Sequence, residues 1–119
     1  MNYFGAFGTD QTEALPKFLP VLEVALAAHQ TGDYDAYLSV VTKALASKVS
    51  RSGFAKAHKE VAPQLGELKS KRFLGAIKKH NKPTLLFVAN YANCEDDVLI
   101  SATFENNTLP AKIDWLWIE

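Results

Sequence analysis

The chain has 119 residues, 48% of them hydrophobic and 22% charged, with thirteen basic side chains against thirteen acidic ones. That length holds one domain around a single core and is too short for two of ordinary size, so residues 1–119 are read as one unit. Zero net charge excludes a whole-molecule field drawing the chain to nucleic acid or an anionic membrane, and the single cysteine, Cys94, excludes an internal disulfide and a thiolate metal site.

Residues 1–10 carry no Lys or Arg ahead of an apolar stretch, which is not the pattern of a secretory leader, and no apolar run approaches the length of a membrane span. The expectation is a cytoplasmic protein. Residues 1–14, with Tyr3, Phe4 and Phe7 among Gly5 and Gly8, read as an arm or cap. From Leu15, apolar residues recur at Phe18, Leu19, Leu22 and Leu26, the spacing of one helix face. Pro16 and Pro20 predict a kink, or a start near Pro20, because proline fits only the first turn.

Gly32 and Asp33 form a stop followed by a start, the glycine suited to a left-handed cap and the aspartate to an N-cap. Tyr34, Tyr37, Leu38, Val41 and Leu45 predict a second helix running to about Ser47. Ser50 or Ser52 caps a third, whose apolar face is Phe54, Ala57, Val61 and Leu65, with Pro63 in its last turn and Gly66 as terminator.

After Gly66 the period becomes two, predicting strands over 68–79, 84–93, 97–105 and 111–118. The separators Asn81-Lys82-Pro83, Cys94-Glu95-Asp96 and Asn106-Asn107-Thr108 are too short for crossover helices, so the strands form an antiparallel meander. Leu85, Phe87, Ala89 and Tyr91 share one face while Leu86, Val88 and Ala92 share the other. In the last strand Ile113, Trp115 and Trp117 oppose Leu116 and Ile118. Both faces are apolar, so the one away from the helices needs a cover, and a second copy of the chain is the expected one.

The stretches Gly32-Asp33-Tyr34-Asp35-Ala36-Tyr37, Gln64-Leu65-Gly66-Glu67-Leu68-Lys69-Ser70, Phe73-Leu74-Gly75 and Lys112 to Glu119 resemble small bacterial members of the nuclear-transport-factor-two-like, or cystatin-like, superfamily. The resemblance spans roughly residues 15–119 by pattern. It implies an α+β fold in which three helices pack on a curved four-stranded meander to make a cone. It further implies a cavity between sheet and helices and frequent dimerisation through the open sheet face. No reaction is implied, since that fold hosts isomerases, dehydratases, cyclases, adaptors and ligand-binding domains.

His29, His58 and His80 have no partners at metal or catalytic spacing, and neither a phosphate-binding nor a dinucleotide-binding glycine pattern occurs. His58 borders the apolar face of the third helix and is a candidate to look into a cavity. Asp114 stands between Ile113 and Trp115, on the face expected for Lys112, Leu116 and Ile118. Buried alone it would be a base near neutral pH, whereas a cross-strand lysine, or exposure near the start of the strand, would leave it a structural carboxylate, the favoured reading. Tyr34, Tyr37, His58, Phe87, Tyr91, Trp115 and Trp117 are the candidate lining of a pocket for a flat apolar ligand, with core or interface roles as the alternative. Lys69, Lys71, Arg72, Lys78, Lys79 and Lys82 read as guards of an edge strand before an anion strip, and the acids around Cys94 disfavour its thiolate.

The expected function is a non-catalytic homodimeric domain, without cofactor or metal, that binds a small apolar ligand or a protein partner and neither nucleic acid nor membrane. The alternative is a small-molecule isomerase, dehydratase or cyclase using Asp114 or His58 as its base.

Overall fold

The computed structural model describes residues 11–105 and 110–118. Along them run α1 (Gln11–Thr31), α2 (Tyr34–Leu38), α3 (Lys43–Ala46) and α4 (Arg51–Leu65), then β1 (Leu68–Lys79), β2 (Lys82–Tyr91), β3 (Val98–Phe104) and β4 (Ile113–Ile118). The fold is α+β, helices followed by an antiparallel sheet in the order β1-β2-β3-β4. Residues 1–10 of the expected arm and the Asn106-Asn107-Thr108 turn lie outside the described residues, while 11–14 belong to α1.

α1 runs through both prolines instead of starting at the second. Each removes one N–H and frees the carbonyl four residues back. Standing four apart, Pro16 and Pro20 share a face, and both are exposed, so the defect is confined to the solvent side. The opposite side buries Ala14, Phe18, Leu22, Ala25 and Leu26.

The expected second helix is two short ones, so among the described residues four helices precede the sheet and not three. The chain leaves the helix at Ser39 because 40–42 pairs with β4 instead. Ile113 N donates to Val40 O and Thr42 N to Ile113 O, both at 2.8 Å. Thr42 then restarts the helix by accepting from Leu45 N at 3.2 Å. Tertiary hydrogen bonds outweigh a helical period that is continuous in sequence.

The β1 to β2 turn is formed by His80 and Asn81, at φ 51° and 63°, so Lys82 and Pro83 already belong to β2. Two successive left-handed residues match the right-handed twist of a tight hairpin. On β2, Leu85, Phe87, Ala89 and Tyr91 are buried as the alternation predicts. Cross-strand rows complete this inner face. Phe73, Phe87, Ile100 and Ile118 form one row, and Ala76, Leu85, Ala102 and Leu116 the next. α1 lies over it, with the Phe18 ring 4.5 Å from that of Phe104 and Glu23 paired to Lys71 at 3.3 Å.

β4 departs from simple parity. Thr103 pairs with Trp115, yet the next residue of β3, Phe104, pairs with Ile113, making Asp114 the extra residue of a bulge. Ile113 is therefore fully buried on the side of Leu116 and Ile118, and not on the side of the tryptophans as strict alternation required. Across the outer face run Ile77, Thr84, Thr103 and Trp115, with the two threonine hydroxyls bonded at 2.8 Å. Ile77, Trp115 and Trp117 are 41%, 43% and 50% exposed there in the single chain.

Candidate functional site: a cavity under a helix held at both ends

α4 is fixed at its two ends and loosely seated between them. At its start Ser50 caps the first turn, accepting from Gly53 N at 3.0 Å. Phe54, its one buried residue, enters an aromatic group with its ring centroid 5.0 Å from both Tyr37 and His29 and 5.4 Å from Tyr34. At its end Asn93 N donates to Leu65 O at 2.8 Å and Asn93 Nδ2 to Pro63 O at 3.1 Å, tying the last turn to the end of β2. Gln30 Nε2 donates to Gly66 O at 3.0 Å, adding α1.

Between these anchors Ala57, Val61, Ala62 and Leu65 bridge a cavity of about 250 Å³. Leu26, His29 and Gln30 of α1 form its second wall, and Tyr91 with Leu116, Trp117 and Ile118 its third. The lining contains no Lys, Arg, Asp or Glu.

Two glycines make the geometry possible. Gly32, at φ +75°, leaves room for His58: a Cβ there would lie 2.8 Å from the imidazole Cδ2. Gly66, also at +75°, would meet the Asn93 side chain at 2.7 Å. His58 Nδ1 is 2.9 Å from His29 O, and since a carbonyl only accepts, Nδ1 carries the proton, which leaves Nε2 an acceptor in the neutral ring. Burial, and secondarily the neighbouring His58, lowers the pKa of His29 and keeps it neutral. Burial raises the pKa of the Tyr91 phenol, which therefore stays protonated.

Of the seven residues expected to line a pocket, His58, Tyr91 and Trp117 do so. Tyr34 and Tyr37 join α2 to α4 instead, stacked 6.3 Å apart, with Tyr34 Oη donating to Val49 O at 2.6 Å and the Arg51 guanidinium over its ring. Phe87 is core beneath Phe73, and Trp115 lies on the outer face with Lys48 Nζ 5.6 Å from its ring centre. The sequence reading missed Leu26, Gln30, Leu116 and the middle of α4. The spacing of Ala57, Val61 and Leu65 reads as a core stripe, and only its small volume signals a face that fails to fill the space below it.

Asp114 lies outside the cavity. Its Oδ1 accepts from Thr42 Oγ1 at 2.8 Å and its Oδ2 from Lys82 Nζ at 2.7 Å, with Glu105 3.4 Å from the same ammonium. The lysine comes from β2, two strands away, because the bulge turns the carboxylate across the sheet end. Burial alone would raise its pKa, but the bonds from Lys82 and Thr42 and the charges of Lys82 and Lys48 outweigh this and lower it. An ion-paired carboxylate of depressed pKa is a poor base at neutral pH. Among the basic residues of β1, Lys71 pairs with Glu23 and Lys69 with Glu67, both at 3.3 Å.

Among the described residues no three His, Cys, Asp or Glu side chains gather as metal ligands, and no helix is long and apolar enough to cross a membrane. Comparison with protein-family models, with curated proteins and with solved structures finds no match to this chain.

Asp114→Asn, which keeps the shape and removes the charge, should lower stability by about 1 kcal/mol at neutral pH. Because the folded carboxyl has the lower pKa, its contribution is present above the ordinary value of 3.8 and lost as pH falls through the folded value. Chemical denaturation of both proteins across this range should show the gap closing in acid; a gap independent of pH contradicts the ion pair.

Proposed function

We propose that the chain is a non-catalytic binding domain that holds a small, mainly apolar ligand between α1, α4 and the ends of β2 and β4, and acts as a homodimer through the outer sheet face. The observation carrying the ligand reading is the cavity itself: about 250 Å³, walled by Leu26, Val61, Leu65, Leu116 and Trp117 and without Lys, Arg, Asp or Glu. Apolar space under a helix fixed at both ends persists because the anchors forbid collapse, and an apolar ligand gains there what the missing side chains forgo. The order of helices before a bulged meander supports reading the fold as the cystatin-like cone. That architecture in a chain whose single cysteine is free supports a cytoplasmic setting.

The dimer rests on Ile77 and Trp115, large apolar side chains exposed on the outer sheet face. The enzymatic alternative loses one of its two candidate bases, since Asp114 is paired outside the cavity. It retains His58, whose Nδ1 is engaged by a backbone carbonyl.

Thermal-shift screening against a metabolite library tests the ligand reading. A ligand at one hundred times its Kd stabilises the folded chain by about 2.7 kcal/mol. Val61→Trp, which fills the cavity with its own side chain, should keep the fold and abolish the shift. A shift that persists in the variant places binding elsewhere and overturns the reading. For the dimer, sedimentation at micromolar concentration should give twice the 13.1 kDa chain mass, and a chain that stays monomeric contradicts it.

A further inference from the structure

Tyr91 is 6% exposed and lines the cavity, yet its hydroxyl has no hydrogen-bond partner among the described residues. A buried phenol without a partner is uncommon, because the hydroxyl has given up water for nothing. The cavity supplies an explanation: Tyr91 lines it, and a partner for the hydroxyl can sit there. The other polar groups of the wall are already committed in part. Gln30 spends one of its two Nε2 hydrogens on Gly66 O, and His58 spends its Nδ1 hydrogen on His29 O.

Beside them stands the protonated phenol of Tyr91, a donor, in a wall with no ammonium, guanidinium or carboxylate. The two imidazoles crowd each other, and both burial and that proximity work against a charge on His29. A carboxylate or an amine entering this space would shed its hydration and meet no counter-charge. A pure hydrocarbon would leave Tyr91 unpaired.

Resting on the small-ligand reading above, we infer that the cavity takes a neutral, largely apolar molecule of about ten non-hydrogen atoms, whose single carbonyl or ether-type oxygen accepts the hydrogen bond of Tyr91 Oη. The apolar body lies against Leu26, Val61, Leu116 and Trp117, and the oxygen points to the β2 end.

The test uses three probes of one shape, acetophenone, ethylbenzene and benzoate, titrated into the full chain at about pH 8, above the ordinary imidazole range, with Trp fluorescence and ligand-observed NMR as readouts. Acetophenone should bind, ethylbenzene about three- to tenfold more weakly, and benzoate not detectably. Tyr91→Phe should bring acetophenone to the level of ethylbenzene without lowering the melting temperature, because the hydroxyl it removes bonds to none of the described residues. Equal binding of ketone and hydrocarbon by the wild type, tighter binding of benzoate, or a fall in melting temperature in Tyr91→Phe overturns the inference while the apolar cavity stands. Failure of all three probes, ethylbenzene included, removes the cavity reading as well.

Discussion

α4 is held by its ends. Phe54 locks its first turn among Tyr34, Tyr37 and His29, and the backbone and side-chain bonds of Asn93, with Gln30 on Gly66, lock its last. A helix so fixed cannot sink onto the sheet, and the side chains it turns downward, Ala57, Val61 and Ala62, are too small to reach across. α1 packs Phe18 over Phe104. The cavity side of β2 and β4, where Tyr91 and Leu116 lie, faces the bridge that α4 makes beside the end of α1. Cavity, orphaned phenol and neutral lining all follow from that one constraint.

The sheet was largely legible in the sequence, because burial of one face enforces a period of two that neighbouring residues cannot evade. Leu85, Phe87, Ala89 and Tyr91 lie where their alternation puts them. What escaped has local physical causes. Ile113 changes sides because Asp114 is an extra residue in the ladder, and a bulge is set by partners distant in sequence, here Thr42 and Lys82. The second helix breaks because Val40 and Thr42 find backbone partners on Ile113. α1 passes its prolines because both face solvent, something spacing shows only once the buried stripe is known to be Ala14, Phe18 and Leu22.

The site was half legible for a related reason. Aromatic residues announce large apolar area but not its use. Tyr34, Tyr37, Phe87, Tyr91, Trp115 and Trp117 divide among an anchor, a core, a cavity and an outer face. A cavity is made by what is absent, and the small residues of α4 carry no periodic signature that separates a bridge from a packed face. Asp114 illustrates the converse. Its position between apolar residues left open a buried base, a cross-strand lysine or exposure at the strand's start, the last two favoured, and the structure gives it a lysine and a threonine outside the cavity. Its chemistry is that of a clasp between the β2 start, the 40–42 segment and β4.

Native-state amide hydrogen exchange tests most directly whether α4 bridges a gap. Protection should be greatest in β2 and β3, whose inner side chains are buried throughout, while residues 57–65 open locally at much lower free energy than global unfolding. Protection of residues 57–65 equal to that of Leu85–Phe87 would mean that the helix is seated on a filled core, and would contradict the account.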